Sequence, residues 1–160
     1  MKKKLLFVAA AALVLMGAVA CNGKKSGENE TTMSENEASL IDYVDELRGD
    51  LPFELEEGGT VIMDIDYSKG NVNLVLNPHD SHYAENVVGL FDNPEDYDYT
   101  KESLIATVLP AYLPGQFIST MAAADANLIM SFVVDSTGRC TNVHIESEDI
   151  KTFVKTHLEE

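Results

Sequence analysis

The chain has 160 residues, 27 of them Asp or Glu against 11 Lys or Arg, for a formal net charge of −16 at pH 7. That balance excludes nucleic-acid binding, which needs a basic face to displace counterions from phosphates, and it opposes unaided adsorption of a folded domain to anionic lipid. Two cysteines allow at most one disulfide, so stability must come from packing, and the length suits one domain with one core.

In chain order, Lys2, Lys3 and Lys4 form a basic head, and Leu5 to Val19 is an apolar run ending in small residues before Cys21. A spanning helix needs ~20 apolar residues, so this run is too short for one and suits a cleavable export signal over 1–20. Ala18-Val19-Ala20-Cys21 resembles the lipobox of bacterial lipoproteins, with Ala18 where that family more often carries Leu. The resemblance implies cleavage before Cys21 and acylation of its thiol, making the membrane a partner through lipid. The alternative is an ordinary secretory signal that leaves Cys21 as a free thiol, a liability in an oxidising compartment. Removal of 1–20 would leave 8 Lys+Arg against 27 Asp+Glu, a net charge of −19. Asn22 stands where an aspartate retains some lipoproteins in the inner membrane, which points to the outer membrane. Residues 21–33 then read as a polar, glycine-bearing tether, and 34–160 as a single α+β domain.

Ser34-Glu35-Asn36-Glu37 has the form of a capping box, followed at helical spacing by Leu40, Ile41, Val44 and Leu47, with Gly49 as a left-handed stop. Val61, Met63, Ile65 and Tyr67 alternate with Ile62, Asp64 and Asp66; after the turn residues Ser68 to Asn71, Val72, Leu74 and Leu76 alternate against Asn73, Val75 and Asn77. This pattern predicts a β-hairpin. Asp80 can cap a helix carrying Tyr83, Val87, Leu90 and Phe91, and 92–99 is an acidic loop. Leu104, Ile105, Val108 and Leu109 form a helical face ended by Pro110, and Pro114 opens a turn with Phe117, Ile118 and Met121. Leu128, Met130, Phe132 and Val134 alternate along a strand that turns through Asp135 to Gly138 and returns with Thr141, Val143 and Ile145. Ser147 caps a last helix, with Ile150, Phe153, Val154, His157 and Leu158 on one side and Lys155 near its end.

The similar hairpins predict a four-stranded antiparallel sheet with helices on one face and a weak α-β-β internal duplication. Its inward set is Met63, Ile65, Leu74, Leu76, Met130, Phe132, Val143 and Ile145. The outward face would carry Ile62, Val75, Ile129 and Val133, bordered by Asp64, Asp66, Asn73, Ser131, Asn142 and His144. An apolar centre with a polar rim is the anatomy of a recognition patch for a protein, peptide or small ligand. Its bland counterpart is a face roofed by the central helices.

Enzymatic chemistry finds little footing, and no cofactor is implied. His79 and His82 flank Asp80, with Glu85 one turn on, and with the acidic loop they offer a metal-dependent hydrolase as the rival; zinc needs three or four rigid ligands. Asp92, Glu95, Asp96 and Asp98 are rich in oxygen but lack the glycine that bends an EF-hand loop. Cys140 and His144 share a strand face ~13 Å apart, too far for a local nucleophile–base pair. Arg48-Gly49-Asp50 spells a short adhesion tripeptide, although Arg and Gly are also ordinary at a helix end. No catalytic or metal residue is assigned.

Two further resemblances rest on layout. Leu51-Pro52-Phe53 after a first helix, then a hairpin, a helical middle and a second hairpin, is similar to small uncharacterised lipoproteins of the Bacteroidetes. The same layout resembles beta-lactamase-inhibitor-like and PepSY domains, which implies binding of proteins or peptides in the envelope. Pro110-Ala111-Tyr112-Leu113-Pro114 with Phe132 to Arg139 looks like the C-terminal, strand-pairing domain of TonB-type transducers, departing from it by the inserted Leu113. Acylation gives the direct test of the address: cells fed an alkyne fatty acid should label the wild-type chain, and Cys21→Ser should abolish the label. Equal labelling of both chains contradicts the lipid assignment.

Overall fold

A computed structural model describes residues 33–55, 60–97, 99–133 and 138–159. The export segment, Cys21 and most of the tether lie outside these residues, as do Asp98 and Val134 to Thr137. The elements are α1 (Glu35–Gly49), β1 (Phe53–Glu54), β2 (Thr60–Ser68), β3 (Asn71–Pro78), α2 (Ser81–Asp92), a 3-10 turn (Pro94–Tyr97), α3 (Lys101–Tyr112), α4 (Gly115–Ala123), β4 (Asn127–Val133), β5 (Cys140–Ile145) and α5 (Ser147–His157).

Both predicted hairpins form, β2 with β3 and β4 with β5, and they join into one mixed α+β architecture around a five-stranded sheet in the order β1-β2-β3-β4-β5. The sheet is not purely antiparallel. β3 pairs with β4 in parallel, from Asn71↔Asn127 to Leu76↔Phe132, because the connection through α2, α3 and α4 returns the chain to the end where β3 began. The fifth strand, β1, is a two-residue edge pairing Phe53 with Ile62. The expected duplication also fails. With β3 antiparallel to β2 and parallel to β4, the second hairpin runs opposite to the first; superposing them would exchange buried and exposed faces, yet both bury the same one.

That buried face is made of cross-strand rows. Ile65, Leu74, Met130 and Val143 form one row, and Val72, Leu128 and Ile145 lie in the next; all are 2% exposed or less. Against them pack Leu40 and Val44 of α1, Ala84 and Val87 of α2, Ile105 and Leu109 of α3, Phe117, Ile118 and Met121 of α4, and Ile150 and Phe153 of α5. Helices therefore occupy one side only, as the apolar periodicities require.

The inward set holds except at one position. Met63 is 43% exposed and Ile62 is buried at 9%. A β-bulge between Ile62 and Asp64 inserts Met63 as an unpaired residue, so strict alternation fails and Ile62 joins Ile65 in the core. Asp64 Oδ1 accepts the Ile65 N–H at 2.9 Å, and Arg48 Nε donates to the Ile65 carbonyl at 2.7 Å, fixing the bulge against α1. Arg48 of the adhesion-like tripeptide thus has a structural role.

The helix ends refine the expectations. Ser34 accepts the Glu37 N–H at 3.1 Å and Asp80 accepts that of His82 at 2.9 Å, both as N-caps. Gly49 is the last helical residue, not a left-handed stop; Asp50 closes α1 at φ −99°, its N–H turned back to Leu47 and Arg48. Pro110 does not end α3, which runs two residues further. Its missing N–H falls in the last turn, where Tyr112 is anchored by a 2.6 Å hydroxyl contact with Tyr83. At Leu113–Pro114 the chain bends by 117° into α4. No single described helix is long and apolar enough to cross a membrane.

Ser147 is the first residue of α5, not its cap, and its hydroxyl donates to Asp125 at 2.7 Å. The capping oxygen comes from β4: Asn127 Oδ1 accepts the Ser147 N–H at 2.9 Å, while Asn127 Nδ2 donates to Asn71 Oδ1 at 3.1 Å and its backbone N–H to the Gly70 carbonyl at 3.0 Å. One residue therefore ties the β2–β3 turn, through its backbone, to the parallel pairing and α5, through its side chain. Asn127→Ala should cost about 1–3 kcal/mol in urea unfolding. Asn142→Ala, on the exposed side of β5, should cost less than about 0.5 kcal/mol. Equal losses would remove the special role of Asn127.

Candidate functional site: the second face of the sheet

The face opposite the helices follows from the same registers. Asp66, Asn73, Ile129 and His144 form one row, and Asp64, Val75, Ser131 and Asn142 the next. Beyond the second row lie Glu54, Val61 and Asn77 on β1 to β3 and, level with them, Val133 and Cys140 on β4 and β5. None of these residues is buried, and no described element covers them. Val61, Asp66, Asn73, Val75, Ile129, Ser131 and Val133 are half-buried, and Asp64, Asn142 and His144 are exposed.

Five of the six expected binding residues, Asn73, Val75, Ile129, Val133 and His144, share this face. Ile62 does not, since the bulge turns it into the core. Met63, which it displaces, is solvent-exposed on the same strand. The apolar centre is consequently narrower than the sequence pattern promised. Val75 lies opposite Ser131, and Ile129 opposite Asn73, so Ile129, Val75 and Val133 meet only as diagonal neighbours across β3 and β4. Amides interrupt the stripe. The bulge had no signal in the alternation; the Asp64–Ile65 bond and Arg48 contact that hold it are visible only in three dimensions.

The other constellations do not assemble. His82 Nδ1 lies 3.5 Å from Glu85 Oε2 on an exposed helix start, and among the described residues no group of three His, Cys, Asp or Glu could hold a metal. Cys140 and His144 share the open face but sit opposite Val133 and Ile129, two rungs apart, and the Cys140 thiol donates to the Gly138 carbonyl at 3.4 Å. Of the segments resembling the TonB-type domain, Pro110 to Pro114 spans the α3–α4 bend, and Phe132 and Val133 end β4, while Val134 to Thr137 lie outside the described residues. A concavity of ≈ 260 Å³ lies between α3 and α5, lined by Ile105, Phe153 and His157. The Lys101 ammonium crosses it to the buried Asp149 Oδ2 at 2.6 Å. It is smaller than the usual ligand pocket of about 300–1,000 Å³.

Shifted proton affinities occur on the helical side and at the sheet's turn end, where they reflect structural contacts. Burial raises the Tyr112 phenol, helped by its bond to Tyr83. Hydrogen bonds from Lys151 and Ser147 lower the Asp125 carboxyl, and the same contact, with Glu148, raises Lys151. Burial, then the hydrogen bond to Glu37 at 2.8 Å, pushes Tyr67 up to about 12. That contribution to stability is complete below pH 10, the ordinary tyrosine value, and is lost as pH rises through about 12. Ultraviolet titration should show a phenol ionising near pH 12 that Tyr67→Phe removes. Retention of that step in the variant would assign it to another tyrosine and contradict the raised Tyr67 phenol.

No family model and no curated protein matches the chain. Among solved structures it is similar to a protein of Pseudomonas aeruginosa described as secreted, at 13% identity and a TM-score of 0.46, covering 73% of this chain and 97% of that one. It is also similar to the pilotin of the Vibrio vulnificus type 2 secretion system, at 14% identity and a TM-score of 0.45, covering 72% and 92% respectively. Likeness at this level carries no inference about activity or partner.

Proposed function

We propose that the chain is a non-enzymatic lipoprotein of the cell envelope, held by lipid on Cys21 at the outer membrane, that docks a protein or peptide on the second face of its sheet. The observation carrying this reading is that face itself: Val75 and Ile129 within β3 and β4 and Val133 at the end of β4, amides and carboxylates around them, and no described element over them. Apolar residues on a two-layer sheet are normally spent on the core, and a rimmed cluster left outside it is the form of an interaction surface. The polar tether after Cys21 supports the address, because it would leave the domain free to meet a partner at some distance from the lipid. The dispersal of His79, His82, Cys140 and His144 supports a binding role over hydrolysis.

Photo-cross-linking in intact cells tests the reading. A photoreactive residue at Val75, Ile129 or Ser131 should give discrete adducts, and one at Lys155 of α5 should not. Failure at all three sheet positions, or adducts of the same size from Lys155, would overturn it.

A further inference from the structure

We infer that a second copy of this chain pairs along β5, strand against antiparallel strand, joining two sheets into one through a two-fold axis at Asn142. The inference concerns the edge of the sheet and stands apart from what docks on its face. Backbone direction on β5 follows from one bond. The Asn127 N–H donates to the Gly70 carbonyl across the parallel pair, so Asn127 and every second residue after it turn their backbone groups toward β3. Leu128, Met130 and Phe132 therefore turn theirs toward β5, where they stand opposite Ile145, Val143 and Thr141. The alternate residues Cys140, Asn142 and His144 direct three N–H and three C=O groups outward, beyond the last strand of the sheet. The same alternation carried to β2 turns Ile65 outward, and there its N–H and C=O meet Asp64 and Arg48.

The two edges of the sheet are finished differently. Native sheets blunt an edge with short strands, bulges, charges or proline. On the far edge β1 covers the start of β2, the bulge at Met63 bends it, and Asp64 and Arg48 take both outward groups of Ile65. None of these devices is found on β5. It pairs with β4 over six consecutive residues without a register shift, and Cys140 to Ile145 includes no Pro, Asp, Glu, Lys or Arg. Among the described residues no hydrogen bond reaches its outward backbone groups, and Cys140, Asn142 and His144 are exposed.

Backbone groups at this spacing call for another strand, and β5 is complementary to itself. With Asn142 opposite Asn142 of the second copy, Cys140 and His144 each stand opposite the other residue of that copy. All three pairs then exchange both backbone bonds, and no outward group is left over. Between them Thr141 stands opposite Val143 of the second copy, two β-branched side chains on the helical side. Charge selects the same edge. A net charge of −16 opposes self-association through acidic surfaces. The β5 edge is uncharged, whereas the far edge carries Glu54, Asp64 and Asp66. The two-fold axis stands perpendicular to the sheet, so the open faces of both copies lie on one side.

The test uses the full chain in detergent. Cys140→Ser/Asn142→Cys should form a disulfide-linked dimer under mild oxidation, since opposed Cα atoms about 5.5 Å apart lie within disulfide reach. Cys140→Ser/Asn73→Cys, on the same face two strands inward, should not, and Cys21 is common to both. In sedimentation the wild-type chain should be dimeric. Asn142→Pro should be monomeric with an unchanged melting temperature, because it removes an N–H that β4 does not use. Asn142→Asp keeps the backbone intact, and should weaken the dimer about fivefold by setting like charges opposite each other; it decides the matter if the proline variant does not fold. A monomeric wild type, linkage at Asn73 equal to that at Asn142, or a dimer of unchanged strength in the Asn142 variants overturns the inference. A monomer that still gives adducts at Val75 in cells leaves the docking face standing and removes only the self-pairing.

Discussion

The parallel pairing of β3 with β4 is the constraint on which the architecture depends. A hairpin buries little alone; two hairpins joined edge to edge make a sheet wide enough to carry five helices. Parallel neighbours require a long connection, and here that connection contains α2, α3 and α4. Once those helices lie on one side with α1 and α5, every buried strand residue must face them. No described element is left to lie over the other side.

Asn127 is where that constraint is anchored. It stands at the start of β4, directly beside Asn71, and its amide reaches both the partner strand and the first N–H of α5. A hydrophobic residue there would leave the start of α5 without its capping oxygen. The adjacent Asp125, at φ 57°, turns the chain out of α4 and takes the Ser147 and Lys151 contacts. Polar chemistry at this end and apolar packing beneath the sheet thus fix the same arrangement from two sides.

Much of this was legible in the residues. Alternation over 60–78 and 127–145, with turn residues between, located both hairpins, and Ser34, Asp80 and Pro114 marked helix starts. Relations between distant segments were not legible. Period two says which residues alternate, but not that Met63 is extra, so the pattern put Ile62 outside and Met63 inside. Nothing local to β3 or β4 states their relative direction, and Phe53-Glu54 is too short to show a period. Ser147 looked like a cap because hydroxyls often are; the true cap lies twenty positions earlier in sequence and across the sheet. The candidate face survived because five of its six expected residues lie on β3, β4 and β5, away from the bulge in β2, where alternation is intact. It lost Ile62, and became more acidic and less oily than the pattern implied.

Function in this account follows from exposure. An apolar cluster rimmed by carboxylates and amides can dock a partner only if water, and no other part of the chain, lies over it. Methyl NMR of the full chain in detergent with a soluble gadolinium chelate measures that directly. The methyls of Val75, Ile129, Val133 and Met63 should broaden strongly, while those of Ile62, Leu74, Leu76 and Met130 stay sharp. Protection of Val75 and Ile129 equal to that of Leu74 and Met130 would show the face to be covered and contradict the account.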